Sequence, residues 1–79
     1  MTEPPTELSV RAELDEVVRD FTQRFPDNTY DYKIGRYINI FDGSNWAVTA
    51  TGSTAGGDGA MFRFDQALQA VHDRNRILR

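Results

Sequence analysis

Between Tyr30 and Thr51 the chain reads YDYKIGRYINIFDGSNWAVTAT, and this stretch decides the fold class. From Tyr30 onward the apolar residues fall at every second position. Tyr30, Tyr32, Ile34, Ile38 and Ile40 thereby share one face of an extended strand. Gly35-Arg36 interrupts the run, and a glycine inside a strand marks a bulge or a close backbone approach. Asp42-Gly43-Ser44-Asn45 carries turn chemistry. Trp46, Val48 and Ala50 then alternate with Ala47, Thr49 and Thr51 as a second strand. Directly opposed residues lie on the same face of a hairpin. Setting Ile40 against Trp46 or Val48 therefore requires an odd loop, of about three or five residues.

On the N-terminal side, Val10, Leu14, Val17, Val18, Phe21 and Phe25 recur as one apolar stripe at helical spacing. Thr6 is placed to cap this helix, and Glu7 sits at the positive end of its dipole. Arg11–Asp15, Asp15–Arg19 and Asp20–Arg24 stand four apart on the outer face. Pro26 disfavours helical geometry at Phe25, so the helix is expected over 6–25.

On the C-terminal side, Gly52 to Gly59 holds four glycines in eight positions and reads as a mobile loop, 52–60. AMFRF (Ala60–Phe64) reads as a short third strand. Asp65 then caps a second helix over 66–78, with Ala67, Leu68, Val71 and Leu78, and also Ala70 and Ile77, facing inward. Arg74, Arg76 and Arg79 suit its negative end.

The expected fold is α+β, in the order α-β-β-β-α. A three-stranded antiparallel sheet carries both helices on one face, because each helix has one stripe to bury. The other face would present Lys33, Tyr37, Asn39 and Phe41 around Thr49 and Thr51, a candidate contact surface. The chain of 79 residues is one domain, 1–79, with 1–5 as a flexible lead-in. It starts with Met and shows no tag, so it reads as a whole small gene product.

Composition narrows the function. Five Phe, three Tyr and one Trp are too many for a disordered chain. The absence of cysteine rules out a disulfide framework and fits a reducing cytoplasm. No apolar run reaches the roughly 18 residues of a membrane span, and Met1-Thr2-Glu3-Pro4-Pro5 is unlike a signal peptide. Residues 1–31 hold eight acids against three arginines, while residues 32–79 carry a net positive charge. That balance disfavours direct nucleic-acid binding, which depends on phosphate neutralisation. It favours a protein partner with a basic surface, steered in by the acidic half.

No catalytic constellation emerges. Gly52-x-x-x-x-Gly57 has the spacing of a phosphate-binding loop, but Asp58 stands where lysine is required. His72 has no serine in a nucleophile context, and it reads as a partly exposed helix residue. The carboxylate pairs Asp15/Glu16 and Asp27/Asp31 lack the oxygen-ligand series of a calcium loop. No enzyme activity, cofactor or metal is expected.

Two resemblances follow from these residues. The order α-β-β-β-α is that of the double-stranded RNA-binding domain. Where that family places lysines, at the start of its second helix, this chain has Asp65-Gln66-Ala67-Leu68-Gln69-Ala70, so the phosphate grip is missing. The short chain, the acidic Glu3–Asp31 half and the hairpin flanked by helices also resemble small phage- and prophage-encoded inhibitors of the anti-CRISPR type. That resemblance implies a protein that blocks DNA binding by a Cascade-type surveillance complex, offering its acidic surface as a DNA mimic to a Cascade backbone or similar subunit. On this sequence Glu13, Glu16, Asp20, Asp27 and Asp31 would form the acidic contact. Arg36, Tyr37, Phe41 and Trp46 would form the rival contact on the sheet. The alternative class is a small structural or regulatory phage accessory protein acting through homodimerisation; the expected state is a monomer or weak dimer.

Overall fold

The computed structural model describes residues 5–36, 46–53 and 59–76. The order is α1 (Glu7–Arg24), β1 (Thr29–Arg36), β2 (Trp46–Ser53) and α2 (Ala60–Arg74). The strands form a two-stranded antiparallel sheet.

Helix α1 starts where its sequence dictates. The Thr6 side chain accepts from the Ser9 amide at 3.2 Å, and the Ser9 hydroxyl accepts from the Thr6 amide at 2.9 Å. This reciprocal cap satisfies two donors that the first turn leaves without helical partners. The helix stops at Phe25, where the Phe25 amide donates to the Phe21 carbonyl at 2.8 Å and Pro26 follows. Two outer-face ion pairs four residues apart form, Arg11–Glu7 at 3.4 Å and Arg24–Asp20 at 3.1 Å. The expected pairing of Arg11 with Asp15 gives way to the sheet, because Asp15 accepts the Tyr32 hydroxyl at 2.7 Å.

The strand register is set by parity. Ile34 stands opposite Val48, Tyr32 opposite Ala50, and Tyr30 opposite Gly52. Even-numbered residues of both strands therefore face the helices, and odd-numbered ones face away. Trp46 stands opposite Arg36, which corrects the expected placement of Ile40 against Trp46 or Val48. The turn residues 42–45, with Ile38 and Ile40, lie outside the described residues. Gly52 is required by its surroundings. Its φ is +128°, and a Cβ there would lie 2.1 Å from the Thr29 carbonyl oxygen. Gly52 and Ser53 belong to β2 and Ala60 to α2, so the expected loop 52–60 is shorter at both ends.

The third strand is overturned. Ala60–Phe64 forms the first turns of α2, which is capped by Gly59 at φ +79°. Asp65 lies within that helix instead of capping it. The reason lies in how the apolar residues are spent. A strand would put Ala60, Phe62 and Phe64 on one face. The helix instead buries Ala60, Phe64, Leu68 and Val71 as a single stripe and leaves Phe62 66% exposed. Ala70, expected to face inward, is exposed. Among the described residues the order is α-β-β-α with two strands, and the comparison with the double-stranded RNA-binding domain falls with it.

The core is built around three rings. Phe21, Tyr30 and Phe64 have centroids 5.0 to 5.7 Å apart and tie α1, β1 and α2 together. Val10, Leu14, Trp46, Val48, Ala60, Leu68 and Val71 complete the buried cluster. Tyr30 keeps its polar end satisfied, accepting the Asn28 side-chain amide at 3.0 Å. Replacing Phe64 by Ala should cost about 3–5 kcal/mol, enough to unfold much of so small a domain. Replacing Phe62 by Ala should stay within about 0.5 kcal/mol. Denaturant unfolding followed by circular dichroism checks both. Equal losses at the two positions would restore the strand reading.

Candidate functional site

Of the five acids singled out from the sequence, the fold brings three together. Glu13, Glu16 and Asp20 recur at three and four residues along α1, which places them on one flank of the helix. Helix α2 lies alongside this flank and contributes Val71 and Arg74. With Val17, these residues line an open groove of about 400 Å³. Its chemistry is mixed, with an apolar floor of two valines and rims carrying three carboxylates against one guanidinium.

The three acids are not equivalent. Glu13 is committed to the fold. Its Oε1 accepts from Arg74 at 3.1 Å and its Oε2 from the Asn75 side chain at 3.0 Å. Asp20 shares its charge with Arg24 at 3.1 Å. Glu16 is exposed and carries no ion pair among the described residues, so it is the acid most available to an incoming cation.

The other two acids lie elsewhere. Asp27 is exposed in the turn after α1. Asp31 is exposed on β1, on the sheet face away from the helices, where its Oδ1 accepts the Tyr32 amide at 2.8 Å.

Of the rival contact on the sheet, only the Trp46 side chain lies among the described residues. Trp46 is only 2% exposed and faces the helices, so it is a core residue. The backbone of Arg36 pairs with Trp46, but its side chain, like all of Tyr37 and Phe41, lies outside the described residues. On the open face Lys33 stands opposite Thr49 and Asp31 opposite Thr51.

Trp46 belongs to a polar network that the sequence did not announce. Its indole Nε1–H donates to the Asn75 carbonyl at 2.9 Å. Its own carbonyl lies 2.7 Å from His72 Nε2. A carbonyl only accepts, so Nε2 carries the proton. The imidazole also packs on the indole, with centroids 4.5 Å apart. Through Asn75 and Glu13 the network runs from β2 across the end of α2 to α1. His72 is thus held by a backbone carbonyl and an indole face, an arrangement that positions a strand end. The only prior sign of this was the cluster of polar residues after Val71, which a surface helix end would equally carry.

On the far flank of α1, the hydroxyl of Tyr32 titrates above its usual value of 10.0. Burial is the largest cause, followed by the hydrogen bond and the charge of Asp15, while Arg11 opposes the shift. Among the described residues no group of three or more His, Cys, Asp or Glu could hold a metal ion. Among the same residues no helix is long and apolar enough to cross a membrane. Comparison with protein-family models, with curated proteins and with solved structures gives no match.

Two outcomes test this division of labour. Glu13→Ala should destabilise the chain by about 1–2 kcal/mol, since it removes the acceptor of Arg74 and one of the two acceptors of the Asn75 side chain, the other being the Val71 carbonyl. Glu16→Ala should change stability by less than about 0.5 kcal/mol. Urea titrations of both variants read the difference. Alkali tests the Tyr32 contact. The folded chain keeps the Tyr32 proton at a pH where the unfolded chain has released it. That contribution is complete below pH 10 and declines as pH rises through the higher folded value. A Tyr32→Phe chain should lack this decline, so the two stability curves should converge above pH 10. Parallel curves would show that the hydroxyl is unperturbed.

Proposed function

We infer that this chain is a non-enzymatic binding protein that uses the acidic flank of α1 to engage a basic surface on another protein. The observation that carries this reading is the groove lined by Glu13, Glu16, Asp20, Val17 and Val71, where three carboxylates outnumber the single guanidinium of Arg74. A lysine or arginine side chain has the matching form, an aliphatic stem to lie over valines and a cationic head to meet carboxylates. The charge of the N-terminal half adds long-range steering, which raises association rates and weakens with salt.

The sharpest form of the proposal is inhibition. A protein that presents carboxylates to a lysine- and arginine-lined channel occupies the place of DNA phosphates. A Cascade-type surveillance complex of a bacterial host, met in its cytoplasm, is the partner this form names. The bond from His72 Nε2 to the Trp46 carbonyl gives that nitrogen a structural role, which supports a binding function.

The test uses Glu16→Lys with Asp20→Lys and leaves Glu13 in place, since Glu13 holds the helices together. Purified chain added to a Cascade-type complex should release bound target DNA in a mobility-shift assay. The double variant should lose at least about tenfold in potency while its circular dichroism is unchanged. Equal potency of the two proteins would exclude the groove. Failure of both to release DNA would exclude this partner.

A further inference from the structure

A two-stranded sheet has two outer edges, and this one treats them differently. In an antiparallel pair, residues alternate between turning their amide and carbonyl toward the partner strand and turning them away. On β2 the even-numbered residues turn outward, because α2 reaches their carbonyls. Gln69 Nε2 donates to the Val48 oxygen at 2.8 Å, and His72 Nε2 donates to the Trp46 oxygen at 2.7 Å. These side chains close the β2 edge to a further strand. On β1 the outward residues are then Tyr30, Tyr32 and Ile34. Of their outward groups only the Tyr32 amide has a partner among the described residues, the carboxylate of Asp31 at 2.8 Å. The β1 edge is the open one, and an open edge is a template for strand addition.

The side chains along that edge specify what fits it. Asp31 and Lys33 are both exposed on the open face, with Tyr32 between them. Consider a second copy of β1 laid antiparallel with Tyr32 facing its own equivalent. Asp31 then lies opposite Lys33 of the second copy, and Lys33 opposite its Asp31. Both contacts are non-hydrogen-bonded positions, where side chains approach most closely. Tyr30 lies opposite Ile34 on the helix-bearing face. The neighbouring symmetric registers fail, since one centres Asp31 on Asp31 and the other Lys33 on Lys33. Opposite charges favour such cross-strand pairs and like charges oppose them.

We propose that the open edge of β1 is a self-association site, on which a second copy of this chain pairs antiparallel about Tyr32 to give a continuous four-stranded sheet. On pairing, the Asp31 carboxylate leaves the Tyr32 amide, which the other copy's Tyr32 carbonyl takes over, and turns to the Lys33 ammonium. The contact is isologous, so it closes after two copies. All residues lining the acidic groove are helical. The dimer thus carries two grooves, and this proposal stands or falls independently of what they bind.

The test is a charge swap on the full chain. Sedimentation over a concentration series should show the wild type moving from one to two chain masses. Asp31→Lys alone and Lys33→Asp alone should each weaken the dimer roughly tenfold or more, because each places like charges across both symmetric contacts. The double variant Asp31→Lys with Lys33→Asp should restore it, with the composition unchanged. In parallel, the Ile34 amide should become protected from hydrogen exchange as concentration rises. A wild type that stays monomeric at millimolar concentration, with a freely exchanging Ile34 amide, overturns the proposal. So does a dimer that both single variants leave intact, since it would form through another surface.

Discussion

The fold turns on the mutual contact of Phe21, Tyr30 and Phe64. A two-stranded hairpin is marginal in water, and neither helix has more than one stripe to bury. These rings come from α1, β1 and α2, and each meets the other two in a tilted or edge-on arrangement. Such pairs add about 0.5–1.5 kcal/mol each beyond the area they bury. More importantly, they fix which face of the hairpin the helices cover. With Tyr30 inward, the alternation of the strand places Tyr32 and Ile34 inward as well. It leaves Asp31 and Lys33 on the far side.

A second constraint acts at the other end of the helix pair. Trp46, His72, Asn75, Glu13 and Arg74 form a chain of contacts joining β2, the end of α2 and the middle of α1. Two chemically versatile groups, His72 and Glu13, are used here to hold elements together. His72 donates to a backbone carbonyl, and both oxygens of Glu13 are engaged. The same helix closes the β2 edge with Gln69 and His72. Among the described residues, the acidic flank of α1 beside Val71 and the edge and open face of β1 stay open to other molecules.

Much of this was legible in the residues. The α1 boundaries followed from Thr6, the apolar stripe and Pro26, because caps and breakers are local effects. The inward face of the hairpin followed from period-two alternation, and the grouping of Glu13, Glu16 and Asp20 from helical spacing alone. The reading failed at Ala60–Phe64. Five residues with apolar ones at alternate positions satisfy a strand as well as the start of a helix. Only the continuation through Leu68 and Val71, and the room beside Phe21 and Tyr30, separates the two. Trp46 was misplaced for a related reason. Alternation sets Trp46 on the face of Val48, but the groups that cover it lie 26 to 29 residues further along the chain. The capping of Tyr32 by Asp15 was hidden for the same cause, since a contact across 17 residues leaves no local signal.

The start of α2 is the point from which the two-stranded sheet, the buried Phe64 and the exposed Phe62 all follow. Backbone chemical shifts of residues 60–64, together with ring-to-ring nuclear Overhauser effects from Phe64, test it directly. The account predicts helical secondary shifts from Ala60 onward and close contacts from the Phe64 ring to those of Tyr30 and Phe21. Extended shifts over 60–64, with cross-strand contacts from these residues to β1 or β2, would contradict it.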